Sequence, residues 1–338
     1  MKNIRALVTG GCGFIGSNLA KKLTELGWRV DVVDDMSNGH LSLLEGEDIK
    51  VLPNASFIIP FNEQTSNQQD RKDNTILVIQ DDFASPYLID YIEQDKYDFI
   101  FHQAAVPRVS YSVEQPAETT DVNISKTVSI MKAAAGHVKK FIFASSSSVY
   151  GGAEDLPTSE ASAKNPKSPY AWQKSAIEDF AKIAWDLYYL DVVCLRYFNV
   201  FGPGQYGDSP YATAVSSWCH AASEKLACRS DGDGTQSRDM CYVDNVVSAN
   251  ILAATADRTF KGKCYNIACG DRTTNHEILE YFKDNFDVMI KHAPWRPGDV
   301  MHTQANVSEA RKDFGYEPIV RFWEGLERTI EWWGLKDG

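Results

Sequence analysis

The sequence lacks any uninterrupted apolar run of the roughly 18 residues that a bilayer span requires. Its first residues, MKNIRALVTGG, lead into a strand-like segment without a cleavable signal. Basic residues are also scarce, because 34 Lys and Arg stand against 46 Asp and Glu, giving a formal net charge of −12. Nucleic-acid binders usually present a basic face. We therefore expect a cytoplasmic protein with neither membrane nor nucleic-acid partners.

Cysteine is sparse and shows no regular spacing. The seven cysteines are odd in number and include no C-x-x-C pair. Neither a disulfide framework nor a zinc site is indicated by such a pattern. We expect most of them to fill small spaces in the core, and we predict no metal centre.

The chain does contain short apolar or β-branched runs that alternate with amphipathic stretches. This order predicts an α/β fold, a doubly wound parallel sheet covered by helices on both faces. The alternation weakens after residue 200. We expect a first domain over 1–200, joined by parts of 235–270, and a smaller C-terminal α/β domain over 201–338. A polar stretch over 52–75 is predicted to be a long loop, to which we assign no role. The runs are IRALVTG, SNLAKKLTELG, RVDVVDD, YDFIFHQAA, VSIMKAAAG, KKFIFASSS and DVVCLRYFN.

The segment LVTGGCGFIGSNLAKKL begins as a strand, turns through glycines and continues as a helix. Gly10, Gly13 and Gly16 are spaced to give a tight turn, a close backbone approach to a pyrophosphate and helix packing on the strand. The N-terminus of the helix offers free N–H groups to the phosphates. The segment therefore predicts a Rossmann-type dinucleotide site.

An acidic residue follows at the spacing that such a site requires. Asp34 lies 18 positions after Gly16, at the end of RVDVVDD. A carboxylate there accepts hydrogen bonds from the adenine ribose and repels a 2′-phosphate. Because 35–40 contains no Arg or Lys, we predict NAD rather than NADP.

The stretch SPYAWQKS places Tyr170 and Lys174 four positions apart. Taken alone, the pair is better explained as one polar turn of a helix. However, the strand-like FIFASSSSVYGG ends in a serine cluster about twenty residues earlier, at the sheet edge where such folds bind ligands. A lysine ammonium and an oxidised nicotinamide favour phenolate over phenol. Tyr170 and Lys174, together with one serine of this cluster, are therefore candidate catalytic residues.

Several motifs together resemble the extended short-chain dehydrogenase/reductase family of nucleotide-sugar epimerases and dehydratases, over nearly the whole length. They are TGGCGFIG, the DD of VVDD, HQAA, SSSSVYG, Tyr170-x-x-x-Lys174, RYFNVFGP, SRDMCYVD and RPGDV.

The resemblance implies roles for further residues. Asp82 and Phe83 would flank the adenine, and Asn123 would support the cofactor side. Contacts to NAD are also implied for Phe14, Ile15, Asp35, Gln103, Ala104, Ala105 and Tyr197. Contacts to a nucleotide sugar are implied for Ser146, Ser147, Ser148, Tyr170, Asn199, Arg238, Arg296, Asp299 and Thr303.

The serine cluster separates activities within the family. By resemblance, the catalytic hydroxyl that works with Tyr170 is that of Ser146. The 4,6-dehydratases carry Asp and Glu at the next two positions, and the uronate decarboxylases carry a glutamate at the second of them. Here Ser147 and Ser148 supply hydroxyls only. By resemblance, the expected activity is an NAD-dependent UDP-hexose 4-epimerase that acts through a 4-keto sugar. Two alternatives stay open: a 4-epimerase for another nucleotide sugar, such as a uronic acid, and a non-catalytic NAD sensor.

Two further expectations concern the substrate and the assembly. Thr303 lies four residues after Asp299, where a tyrosine in the family restricts the sugar C2 pocket to a hydroxyl. The smaller threonine predicts room for an acetamido group, although it also suits an ordinary strand. Because IEDFAKIAWDLYYL is more apolar than one sheet face can cover, we also expect a homodimer.

Overall fold

The computed structural model describes residues 4–52, 75–94, 96–152, 155–208, 213–295 and 300–335. Its main feature is an eight-stranded sheet in which every pairing is parallel. The strand order is β12-β7-β6-β5-β1-β2-β4-β3. The predicted doubly wound parallel sheet is confirmed. These strands are β1 Arg5–Thr9, β2 Arg29–Asp34, β3 Asp48–Leu52, β4 Thr75–Gln80, β5 Phe99–His102, β6 Lys140–Ser146, β7 Val192–Tyr197 and β12 Lys263–Ile267.

Helices cover both faces of the sheet, so the side chains of its central strands are buried on both sides. Helices α1 and α8 pack on one face, and α2, α5 and α6 pack on the other. The α-helices are α1 Phe14–Glu25, α2 Pro86–Ile92, α3 Val109–Glu114, α4 Pro116–Thr120, α5 Thr127–Ala134, α6 Pro169–Tyr188, α7 Ala214–Ser223, α8 Val243–Thr255, α9 Asn275–Phe286, α10 Ser308–Phe314 and α11 Phe322–Trp332. Short 3₁₀ segments cover Leu41–Leu44 and Ser147–Tyr150, and a π-helix covers Asp121–Lys126.

The later part of the chain forms small two-stranded pairings instead of a second large sheet. They join β8 Val200–Phe201 to β11 Cys241–Tyr242, β10 Ser237–Arg238 to β13 Thr273–Thr274, and β9 Cys228–Asp231 to β14 Ile290–Ala293. Strand β12 instead returns to the edge of the main sheet beside β7. The two-domain division at residue 200 stays a prediction.

The cysteines lie in the core, as expected. Six of the seven are buried, and Cys264 is partly exposed.

Candidate active site

Three glycines shape the turn between β1 and α1. Gly10 has a φ of +66°, and a Cβ there would lie 2.8 Å from the Ala104 backbone. A Cβ on Gly16 would lie 2.1 Å from the Gly10 carbonyl oxygen, so α1 packs directly on the turn. Gly13 donates its backbone N–H to the same oxygen over 3.1 Å. The turn thus brings the N-terminus of α1 to the carboxyl edge of the sheet, an arrangement that suits a pyrophosphate.

Asp34 ends β2 beside this turn. Its Oδ2 accepts from the Cys12 backbone N–H and its Oδ1 from that of Met36, both over 2.9 Å. Burial raises the pKa of Asp34, and these two bonds lower it. A Cβ on Gly39 would lie 2.6 Å from Oδ1. A carboxylate held in this way suits ribose hydroxyls, so the turn and Asp34 together fit NAD.

Other predicted cofactor residues lie nearby. Phe14 and Ile15 begin α1 and pack against the core while partly exposed. Asp35 is exposed, and its Oδ1 accepts from the Ser37 backbone N–H over 2.9 Å. Ala105 follows β5 and is partly exposed. Each of these residues retains surface that a cofactor could contact.

The residues expected near the adenine already have partners. Asp82 accepts from the Lys126 ammonium, with Nζ and Oδ2 2.5 Å apart. Phe83 exposes 8% of its surface and packs edge-to-face on the buried His102, with ring centres 4.9 Å apart. Contact of Asp82 and Phe83 with adenine stays a prediction.

Helix α6 begins immediately before the candidate base. Pro169 occupies its first turn, and the Ser168 hydroxyl caps it by accepting from the Ala171 N–H over 3.2 Å. The Tyr170 N–H donates to the buried Ser112 hydroxyl over 3.1 Å. The Ser168 cap and the hydrogen bond to Ser112 together fix the orientation of the first turn of α6.

The candidate catalytic residues come together where β6 meets α6. Lys174 is buried, and its Nζ donates to the Ala144 carbonyl over 2.7 Å. The same Nζ lies 5.8 Å from the centre of the Tyr170 ring and 4.7 Å from that of Phe143. The Ser146 hydroxyl lies close enough to the Tyr170 hydroxyl to lower the pKa of Tyr170. The arrangement places a phenol, a hydroxyl and an ammonium at one sheet edge, as the sequence predicts.

The ionisation of this group depends on burial. Burial raises the pKa of Tyr170 to about 12, although the neighbouring Ser146 hydroxyl lowers it. Burial lowers the pKa of Lys174 to about 7, opposed by Cys194 and Glu178. The chain alone therefore holds the phenol protonated near neutral pH, so the predicted lowering of the Tyr170 pKa requires a further positive charge.

The loop after β5 is held by amide side chains. Gln103 Nε2 donates to the Tyr197 hydroxyl over 3.2 Å and to Asn250 Oδ1 over 3.1 Å. Two predicted cofactor residues, Gln103 and Tyr197, thereby connect β5 and β7 to α8.

Asn123, on the π-helix, ties the same loop to α6. Its Oδ1 accepts from the Val106 N–H and its Nδ2 donates to Gln173 Oε1, both over 2.8 Å. Gln173 is fully buried and also donates to the Thr119 hydroxyl over 2.9 Å. Sequence reasoning missed Gln173, because nothing in its spacing distinguishes it from an ordinary helix residue.

The remaining serines follow β6 on the 3₁₀ segment. Ser146 Oγ accepts from the Ser148 N–H over 3.2 Å. Ser147 is partly exposed, and the buried Ser148 Oγ has no hydrogen-bond partner within the described part of the chain. The cluster thus presents hydroxyl chemistry beside Tyr170.

The predicted sugar-side residues converge on one another. Asn199, with a φ of +35°, donates from Nδ2 to the Thr303 hydroxyl over 3.0 Å and to the Asp239 carbonyl over 2.9 Å. Thr303 Oγ1 also accepts from the Asp239 N–H over 3.2 Å. The Arg238 guanidinium donates to the Met301 carbonyl over 3.1 Å.

Asp239 is a second residue that the sequence did not single out. Its buried carboxylate accepts from the backbone N–H groups of Cys269, Gly270 and Ala305. Burial raises the pKa of Asp239 to about 7, although these three hydrogen bonds lower it. The carboxylate fixes the segments that carry Arg238 and Thr303.

Arg296 and Asp299 lie outside the described residues, as does most of the polar stretch over 52–75. Within the described ranges, no group of three or more His, Cys, Asp or Glu side chains could hold a metal. None of the helices described is long and apolar enough to cross a membrane.

A family model described as the NAD dependent epimerase/dehydratase family matches residues 6–268. The chain belongs to this family. It is 29% identical to a putative UDP-glucose 4-epimerase of Methanocaldococcus jannaschii, over 96% of this chain and 97% of the relative. It is 30% identical to the dTDP-D-glucose 4,6-dehydratase of Homo sapiens, over 97% of this chain and 89% of the relative.

A solved structure resembles the fold over its full length. It is the UDP-N-acetylglucosamine 4-epimerase from Methanobrevibacter ruminantium M1 in complex with UDP-N-acetylmuramic acid, with a TM-score of 0.85 and 31% identity. The match covers 99% of this chain and 100% of that one. As a member of the family the protein is an enzyme, and NAD is its cofactor.

Proposed function

We propose that the protein is an NAD-dependent 4-epimerase of UDP-sugars that interconverts UDP-N-acetylglucosamine and UDP-N-acetylgalactosamine. The observation that carries the proposal is the grouping of Ser146, Tyr170 and Lys174 beside a serine-only cluster. Relatives named as UDP-sugar 4-epimerases support the reaction class. UDP-glucose and UDP-galactose are possible further substrates of the same site.

The proposed chemistry needs one proton acceptor at the sugar 4-hydroxyl. Tyr170 takes that proton as phenolate, and the Ser146 hydroxyl holds the same oxygen. The glycine turn, Asp34 and Lys174 would hold NAD, which would supply an acceptor for the hydrogen leaving C4 and a donor for its return to the opposite face. Tyr170 then returns the proton to the 4-oxygen, so the enzyme ends the cycle in its starting protonation state. Lys174 stabilises the phenolate by its charge, and its other two N–H groups suit ribose hydroxyls.

Elimination is disfavoured by the side chains beside the base. Loss of water across C5 and C6 needs an acid and a base near C5 and C6. At this point Ser147 and Ser148 provide hydroxyls that stay neutral at physiological pH. The identity to a 4,6-dehydratase therefore reflects the common cofactor and fold rather than the same chemistry.

The acetamido preference rests on Thr303. This small side chain lies against Asn199 through a 3.0 Å hydrogen bond, and we expect both residues to face the sugar. A tyrosine at the same position would fill much more space. The 31% identical structure named as a UDP-N-acetylglucosamine 4-epimerase supports this preference.

The test is to incubate the purified, NAD-loaded protein with each UDP-sugar and follow the C4 isomers. We expect the acetylated pair to be converted at least as efficiently as the non-acetylated pair. Thr303→Tyr should lower kcat/KM for the acetylated sugars by at least about 10-fold, because the larger side chain overfills the pocket, and leave UDP-glucose turnover largely intact.

Thr303→Val is the matched control, because it keeps the volume and removes the hydroxyl that Asn199 and Asp239 contact. An unchanged sugar preference in Thr303→Tyr would show that Thr303 does not gate the pocket. Turnover of UDP-glucuronate alone would favour the uronate epimerase. NAD binding without turnover of any nucleotide sugar would favour the sensor.

A further inference from the structure

Glu178 forms a buried ion pair directly behind the candidate active site. It lies on α6 four residues after Lys174 and eight after Tyr170, and its side chain is 1% exposed. Its Oε1 accepts from Ser145 Oγ and from Arg196 Nε, and its Oε2 accepts from Arg196 Nη2, each over 2.7 Å. The carboxylate is therefore held by a bidentate guanidinium and a hydroxyl at once.

These partners belong to the strands that carry the active site. Ser145 immediately precedes Ser146 on β6, and Arg196 is its register partner on β7. Arg196 also donates to the Tyr150 hydroxyl over 2.7 Å, at the end of the serine segment. One carboxylate thus joins the helix that carries the base to the strand end that carries the serine.

We propose that Glu178 is a positioning residue for the epimerisation, which fixes Tyr170 and Lys174 relative to Ser146 and holds Lys174 in its charged form. The inference deepens the proposed function and rests on it. Glu178 contacts none of the reacting atoms. It acts through the helix and through its field on Lys174.

The charges around Lys174 explain how Glu178 would keep the Lys174 ammonium charged. Within the described residues, Lys174 faces Glu178 and Tyr170 on its own helix, Cys194 on β7 and His102 on β5. Burial holds the pKa of His102 at about 3, so this ring is neutral.

Two further cations share the carboxylate of Glu178. They are Arg196 and Lys164, whose Nζ lies 3.6 Å from Oε2. Without Glu178 the desolvated Lys174 ammonium would lose an opposing charge. The pKa of Lys174, already lowered by burial to about 7, would therefore fall further.

The test compares NAD-loaded wild type with Glu178→Gln. In this variant a larger fraction of Lys174 is neutral, and a neutral Lys174 no longer favours the Tyr170 phenolate. We expect the ascending limb of kcat against pH to move upward by about one pH unit. We expect kcat to fall about 10- to 100-fold with KM for the UDP-sugar nearly unchanged, and Kd for NAD to rise about tenfold.

Asp313→Asn is the matched control, because it also removes a buried carboxylate from an ion-pair network. Asp313 is 8% exposed and binds Arg258, Lys263 and the Tyr265 hydroxyl, at the far end of β12. We expect it to lower Tm without moving the pH profile or Kd for NAD. Glu178→Asp retains the charge on a shorter side chain. We expect its pH profile to be close to that of the wild type, while its kcat stays lowered.

If Glu178→Gln fails to fold, Ser145→Ala is the alternative test. It removes only the hydrogen bond from β6 to Glu178 and should lower kcat without changing KM. A pH profile and NAD affinity that match those of Asp313→Asn would overturn the proposal and leave Glu178 a stabilising residue. NAD affinity is measured without substrate. Failure of the UDP-sugar assay in wild type would therefore count against the proposed function only.

Discussion

At the residue scale, the site depends on a conflict between burial and charge. Burial raises the pKa of the Tyr170 phenol to about 12 and lowers that of the Lys174 ammonium to about 7. Both shifts oppose the charged forms that proton transfer requires. The positive nicotinamide of bound NAD would favour the phenolate, so we expect Tyr170 to act as a base only when the cofactor is present. Such a dependence would protect the enzyme from unproductive proton transfer.

We predict that Tyr170→Phe lowers kcat by about 10²- to 10⁴-fold, because it removes the proton acceptor and leaves the ring in place. The measurement is turnover of UDP-sugars by the NAD-loaded variant, with NAD content and Tm as checks on folding. Tyr97→Phe is the control, since it removes a buried hydroxyl that donates to Asp31 over 2.9 Å in another part of the fold. Wild-type turnover by Tyr170→Phe would exclude this residue as the base.

At the scale of elements, local sequence patterns predicted the helices, strands and turns that depend on local interactions. The glycine turn, the start of α6 at Pro169 and the alternation of strands and helices follow from spacing and propensity, and the predicted sheet is confirmed. The contacts of Gln173 with Asn123 and of Glu178 with Arg196 join segments 18 to 50 residues apart. They depend on strand register and on the π-helix, which no single segment of sequence encodes.

The glycine turn gives a graded test of this element. A Cβ on Gly16 would lie 2.1 Å from the Gly10 carbonyl, whereas one on Gly13 would lie 3.2 Å from it. We predict that Gly16→Ala lowers the free energy of unfolding by about 1–3 kcal/mol through overpacking and also weakens NAD binding. Gly13→Ala should weaken NAD binding with a much smaller loss of stability. Denaturant unfolding and NAD titration check both, and equal stability losses would contradict the packing argument.

At the scale of the whole molecule, strand order assembles the site. The chain leaves β1 toward β2 on one side and crosses to β5 on the other, so the crevice for a dinucleotide opens at the centre of the sheet. The carboxyl ends of β1, β5, β6 and β7 then bring together the glycine turn, Gln103, Ser146 and Tyr197. Residues far apart in sequence become neighbours because parallel strands end at the same edge.

The outer face of α6 carries the remaining prediction. Trp172, Ile183 and Leu187 are spaced by 11 and 4 residues, which places them on one stripe of the helix, and they are 50%, 47% and 63% exposed. Val113, on the adjacent α3, is 61% exposed. Apolar surface of this extent on the two packed helices suits a second copy of the chain.

We therefore predict a homodimer that buries this stripe, with a mass by light scattering about twice the 37.8 kDa of one chain at micromolar concentration. Leu187→Glu should shift the mass toward one chain, because it places an unpaired carboxylate in the apolar contact. Ile319→Glu adds the same charge at a residue that is 62% exposed and should leave the mass unchanged. A wild-type mass of one chain would refute the dimer, and equal dissociation by both variants would place the contact elsewhere on the surface.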